Sequence, residues 1–241
     1  MAKTMETPKQ ELVSQAQAQM QSKFSIPERS VREKLAITSR VLYDGGHDSG
    51  LAGQITARGP EPGSYYTQRL GLGFDEISVS NILRFHSWVY RNRPDVQCIV
   101  HTHPLYVASL SMLETPLIVS HMDNCPLYDD CAFLEEWPGV PVGNEEGDII
   151  SRALGDKRAI LLAHHGMLVA ATSVEEACVL SLQFERTARM QLIAMSAGEI
   201  KPIKPELGRE AHDWILRPRR SQIGFEYYAR KALSRHPDVL R

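Results

Sequence analysis

Residues 98–111 read CIVHTHPLYVASLS. An apolar run ends in two histidines one residue apart, and a proline follows at once. The segment VQCIVHTH (96–103) reads as a strand, and PLYVASLSML (104–113) as a helix with Pro104 at its first position, where a missing N–H costs nothing. Residues i and i+2 of a strand share a face. His101 and His103 therefore present two imidazoles side by side where the chain leaves the sheet, a spacing that suits two ligands of one metal ion. With nine histidines in 241 residues, such a pair is within reach of chance, so the reading needs a second signal.

The second signal is RAILLAHHG (158–166), another apolar strand that ends in histidines, His164 and His165. It meets the strand MLVAA (167–171) at Gly166, where glycine permits a sharp turn. Buried neutral imidazoles each need hydrogen-bond partners, and a divalent cation would satisfy several at once.

Outward from these strands, residues 173–198 give the clearest helix, with Ser173 and Glu176 spaced as a capping box. A helix over 27–42 has Pro27 early, Val31, Leu35 and Leu42 near one face, and Gly45-Gly46 as its stop. GQITAR (53–58) and SYYTQ (64–68), joined by GPEPG, read as a hairpin. RFHSWVYRNRPD (84–95) reads as a helix stopped by Pro94, PLIVSH (116–121) as a strand, and EEGDIISRALG (145–155) as a helix. The pattern predicts one α/β domain over 27–200, preceded by a polar, Gln-rich helical arm over 1–26. A helical extension over 201–241 would pack on the same domain or on a neighbouring subunit.

Composition narrows the function. The 27 basic and 29 acidic residues leave a net charge of −2, which argues against a nucleic-acid binder. The short basic run Arg217, Arg219 and Arg220 reads as a solvated helix edge or a subunit contact. Four cysteines without a C-x-x-C pair do not make a disulfide scaffold, and Cys98 and Cys178 sit in apolar runs. The N-terminus lacks a signal-peptide core, and no apolar run is long enough to span a membrane. A cytoplasmic protein without membrane or nucleic-acid partners is expected.

IVHTHPLYVASLS and AILLAHHGMLVA, followed by a helix opening SVEEA, resemble the class II aldolase/adducin family from about residue 30 to 198. RPDVQCIVHTH resembles the strand before that family's metal site, and GQITAR resembles its G-N-x-S-x-R element. The resemblance implies a three-layer α/β/α sandwich with a largely antiparallel sheet. It also implies one divalent ion per chain (zinc, manganese or iron) on His101, His103 and His165, with His164 outside the ligand set. Gly53, Gln54 and Thr56 would fall where relatives bind a substrate phosphate or carboxylate. A homo-oligomer, typically a tetramer with interfacial active sites, is implied too, and Tyr227 or Tyr228 could reach a neighbour's substrate.

The pattern also breaks. Sugar-phosphate aldolases of the family carry an acid–base Glu two residues before R-F-H, where this chain has Ile82, which cannot move a proton. The segment from FDEISVS to RFH is also short, so that Glu is either lost or belongs to a stretch outside this sequence. TQRLGLGFDEI (67–77) replaces the usual T-P-x-G turn, and Arg69 could pair a carboxylate bidentately. In SHMDNCPLYDDCAF (120–133), His121 and Tyr128 are acid–base candidates, while Asp129 and Asp130 read as turn residues.

The expected function is a metal-dependent lyase that cleaves a C–C bond of a small hydroxy or oxo acid, or of a sugar-derived substrate. Retro-aldol cleavage and decarboxylation both pass through a metal-stabilised enolate. The alternatives are a non-catalytic adducin-like module and a non-haem iron oxygenase on the same histidines.

Overall fold

The computed structural model describes residues 8–86, 90, 92–137, 139 and 144–241. Its centre is a seven-stranded sheet in the order β3-β2-β1-β4-β7-β6-β5. The strands are β1 (Gln54–Arg58), β2 (Ser64–Gln68), β3 (Ile82–His86), β4 (Cys98–Thr102), β5 (Cys131–Leu134), β6 (Ala159–Leu162) and β7 (Gly166–Ala171). Every neighbouring pair is antiparallel except β5 with β6, so the sheet is mixed and mostly antiparallel.

Helices α2 (Val31–Asp44), α5 (Val174–Ala197) and α7 (Pro218–Arg235) pack together on one face. Between them and the sheet lies the main core, with Leu35, Leu42, Ile55, Val100, Leu161, Phe184 and Phe225 fully buried. Each such side chain contributes about 1.5–3 kcal/mol relative to exposure. The opposite face carries a smaller cluster, Tyr90, Val96, Leu154, Ile160, Leu162 and Ala170, covered by α4 (Asn144–Leu154). These three layers are the expected α/β/α sandwich. Helices α1 (Lys9–Lys23), α3 (Leu105–Ser111) and α6 (Pro205–Ile215) complete the described elements, together with 3-10 turns at Val79–Asn81 and Met122–Leu127.

Local chemistry sets the boundaries. Ser30 and Glu33 form a full capping box at the start of α2. Ser173 caps α5 through the Glu176 N–H, but the other half of the expected box is diverted. The Glu176 carboxylate takes the Thr172 N–H and hydroxyl and pairs with Arg158.

Two sequence expectations are corrected. Arg84–His86, assigned to a helix over 84–95, belong to β3, because that stretch satisfies its backbone on β2 from Ser64↔His86 to Gln68↔Ile82. Residues 87–89 and 91 of the same stretch lie outside the described residues. PLIVSH (116–121) is not a strand. A side chain of α5 replaces the missing neighbour: the Ile118 N–H donates to Gln191 Oε1 at 2.8 Å, and Gln191 Nε2 donates to the Pro116 carbonyl at 3.0 Å.

Candidate metal centre

The centre forms where β4 and β7 end. Their register sets His101 opposite Leu168 and Thr102 opposite Met167. Within β4, Cys98, Val100 and Thr102 are buried on the helix-covered side, so His101 projects from the other face with Ile99. The three-residue turn between β6 and β7, Ala163–His165, brings in the third imidazole. Ring centroids lie 4.8 Å apart for His101–His103, 4.8 Å for His101–His165 and 4.7 Å for His103–His165. Their ligand nitrogens all fall within 4.8 Å of one another.

Hydrogen bonding prepares this donor set. His101 Nδ1 lies 2.9 Å from the Met167 carbonyl, which can only accept, so Nδ1 carries the proton and Nε2 keeps its lone pair. That Nε2 faces His103 Nε2 at 3.1 Å. Two nitrogens on one tetrahedral ion, bonded at about 2.0–2.1 Å, sit roughly 3.3 Å apart. Burial, reinforced by His103 and His165, pushes His101 down to about 4. Burial lowers His103, and burial followed by the neighbouring His103 lowers His165. Three neutral imidazoles with converging lone pairs suit a divalent transition metal such as zinc, manganese or iron.

Close packing holds the arrangement. A Cβ on Gly166 would lie 2.5 Å from His103 Cδ2 and 2.6 Å from the Thr102 carbonyl. Gly53, at φ +114°, brings its backbone near the His101 carbonyl and the Thr102 methyl. Gln68 clamps that approach by donating to the Gly53 carbonyl and accepting from the Ile55 N–H, both at 3.0 Å. Helix α3 follows His103 directly, and the buried Glu185 carboxylate accepts the N–H groups of Tyr106 and Val107 in its first turn. Burial raises Glu185 despite those two bonds. Sequence reading missed Glu185, although a carboxylate inside the apolar stretch of α5 was its signal.

The other sequence candidates divide. Gln54 is the cross-strand partner of His101 and is exposed. Thr56 faces the same side, but its hydroxyl lies 2.6 Å from the Tyr90 hydroxyl and is buried. Arg69 is exposed just beyond β2, with its N–H on the Asn81 carbonyl. His121 is exposed and caps the 3-10 turn at Met122–Leu127 by accepting the Asp123 N–H. The Tyr128 ring lies flat against Gly208 of α6. Tyr227 and Tyr228 stand edge to face on α7, their centroids 5.0 Å apart. Ile82 is 2 % exposed and part of the main core, with the chain passing straight from the 3-10 turn at Val79–Asn81 into β3. Asp130, read as a turn residue, is a buried hub that accepts from Arg158 and His212.

Residues 78–192 match the family model for the Class II Aldolase and Adducin N-terminal domain. The 4-hydroxy-3-prenylphenylpyruvate oxygenase/4-hydroxy-3-prenylbenzoate synthase of Streptomyces roseochromogenus subsp. oscitans is 25% identical over 212 residues, 79% of this chain and 76% of that protein. The decarboxylase NovR of Streptomyces niveus is 26% identical over 216 residues, 79% of this chain and 78% of that protein. In fold, the chain resembles the L-fuculose 1-phosphate aldolase from Glaciozyma antarctica PI12, with a TM-score of 0.80 at 22% identity over 90% of this chain and 97% of that one. Among the described residues, no helix is long and apolar enough to cross a membrane.

Proposed function

We propose, from the match of residues 78–192 to the class II aldolase and adducin N-terminal domain, that this chain is a metal-dependent lyase. It breaks a carbon–carbon bond, by decarboxylation or retro-aldol cleavage, in a small hydroxy or oxo acid or a sugar-derived substrate. The observation that carries this reading is the convergence of His101, His103 and His165, with the His101 tautomer fixed by the Met167 carbonyl. A non-catalytic module has no use for three half-buried, neutral imidazoles aimed at one point. A divalent ion held there supplies Lewis acidity, drawing off the negative charge that develops on a substrate carbonyl as the neighbouring bond breaks.

This chain's own residues do the rest. Gln54, beside His101 on the next strand, offers an amide to a substrate oxygen. Gly53 lets the backbone before β1 approach the His101 carbonyl closely, and Arg69 offers two parallel N–H groups to a carboxylate. Thr56 serves β1 through its bond to Tyr90. With Ile82 in the core, the aldolases' Glu has no counterpart there, which favours decarboxylation. In that reaction the carboxylate leaves as carbon dioxide, and the carbon left behind takes a proton. Of the two acid–base candidates, His121 has the accessible ring and Tyr128 is covered by α6, so the proton is assigned to His121. Exposed Leu105, Met112 and Leu113 after His103 favour a homo-oligomer, a tetramer in this reading.

Elemental analysis of protein purified without added metal, beside His103→Ala, tests the reading. About one zinc, manganese or iron per chain, lost in the variant, supports it, and so does carbon dioxide release from oxo or hydroxy acids. No metal in either protein overturns it in favour of the adducin-like module. The oxygenase relative favours a second reading: iron together with substrate-dependent oxygen uptake would replace the lyase by a non-haem iron oxygenase.

A further inference from the structure

We propose that Glu114 is a positioning residue for the metal ligand His165 and acts through His164, an inference that rests on the metal reading above. Among the described residues, three non-glycine residues adopt positive φ: Glu114 at +46°, Asp129 at +55° and His164 at +54°. The left-handed region is costly for an L residue, and such residues persist only where their surroundings hold them. Two of these three hold each other. His164 Nε2 donates to Glu114 Oε1 at 2.7 Å, a bond available whether or not the imidazole is charged.

The pair ties together two pieces of chain that carry ligands. His164 lies in the β6–β7 turn immediately before His165. Glu114 lies three residues beyond α3, the helix that starts just after His103. A backbone bond runs parallel to the side-chain pair, from the His164 N–H to the Ser111 carbonyl at 3.1 Å. The turn bearing His165 is thus fastened to the far end of the helix that grows out of His103. The left-handed backbone at His164 sends its own ring outward to Glu114 and turns the next residue inward, where the His165 ring meets those of His101 and His103. Without the carboxylate, the His164 side chain loses its one hydrogen-bond partner among the described residues, and the turn is free to relax out of the strained conformation. Both side chains are more than a third exposed, so the expected effect is graded rather than total.

The test measures zinc dissociation constants by chelator competition, together with amide hydrogen exchange of the metal-free protein. The variants are Glu114→Ala, Glu114→Gln, His164→Gly and the double variant Glu114→Ala/His164→Gly. Glu114→Ala is expected to weaken zinc about three- to tenfold and to speed exchange at residues 163–165. Glu114→Gln keeps an acceptor oxygen and stays within about twofold of the parent. Glycine adopts the left-handed region freely, so adding Glu114→Ala to His164→Gly changes nothing further. Unchanged affinity and exchange in Glu114→Ala, or an equal loss in the glycine background, overturns the proposal. Failure of the parent protein to take up zinc, manganese or iron overturns the metal reading itself, and the exchange data then still show separately whether the clamp exists.

Discussion

The Nδ1 atom of His47 lies 2.8 Å from the hydroxyl of Thr102, on the opposite side of the sheet from His101. Thr102, the last residue of β4, stands between His101 and His103 and is itself fully buried. One side of the strand end therefore faces the three-histidine cluster while the other is fixed to an imidazole beneath it. His47 is 1 % exposed, and burial pushes it down to about 3, a Ser181 backbone group offsetting this a little. It is neutral in the fold at every physiological pH.

That neutrality has a pH signature. An unfolded histidine titrates near 6.5, so between about pH 6.5 and 3 the unfolded chain binds a proton that the fold excludes at His47. Stability is complete above the unfolded value and falls with acid by up to about 1.4 kcal/mol per pH unit from this residue. Urea unfolding of the metal-free protein at pH 7, 6 and 5 should show this slope reduced in His47→Gln. Parallel slopes for the two proteins would sink the assignment, since the depressed His101 contributes equally to both.

Gly166→Ala should damage the centre without touching a ligand. The added methyl would meet the His103 ring at 2.5 Å and the Thr102 carbonyl at 2.6 Å, and the backbone oxygen has nowhere to go. Overpacking of this kind costs about 1–3 kcal/mol, and here the ring that must yield is a proposed ligand. Zinc affinity should fall by at least tenfold, read by chelator competition. A variant that binds zinc like the parent would mean that the two strand ends move apart without cost.

The three-histidine cluster was legible in the sequence because strand periodicity is strict. Alternation alone puts His101 and His103 on one face, and an apolar strand running into Gly166 marks the turn that delivers the third ring. What stayed hidden depends on partners far along the chain. PLIVSH has the composition of a strand, yet Gln191 satisfies its backbone from a helix more than 70 residues later. RFH reads as the start of a helix by local propensity, yet β2 offers it an open edge. Thr56 lies on the correct face for a substrate, and only the fold reveals that Tyr90 has taken its hydroxyl.

Tyr128 offers a test that separates packing from chemistry. Its ring covers Gly208, where a Cβ would sit 2.6–2.8 Å from three ring atoms. Glycine to alanine inside a helix ordinarily stabilises by about 1 kcal/mol. Here Gly208→Ala should instead lower the melting temperature, because α6 must lift off the 3-10 turn. In Tyr128→Ala the obstacle is gone, and Gly208→Ala on that background should recover the ordinary gain. A simple gain in the parent protein would show that the ring is free to move, and would return Tyr128 to the acid–base candidates.

The buried Asp130 should set the alkaline side of the stability profile through His212. His212 places Nε2 3.0 Å from Asp130 and Nδ1 2.8 Å from Asp213, so both ring nitrogens donate to carboxylates and the ring is held as the cation. The Asp130 bond, then that to Asp213, raises His212 against the effect of burial. Its contribution is complete below about pH 6.5 and disappears as pH rises through the raised folded value. Burial pushes Asp130 upward, but the bonds from His212 and Arg158 outweigh it, so its own contribution fails only in acid. His212→Gln should therefore cost stability at pH 6 and progressively less toward pH 9, whereas Asp130→Asn should cost about 2–3 kcal/mol throughout that range by also releasing Arg158. A His212→Gln penalty of equal size at pH 6 and pH 9 would mean that the ring is neutral in the fold and that α6 is held by packing alone.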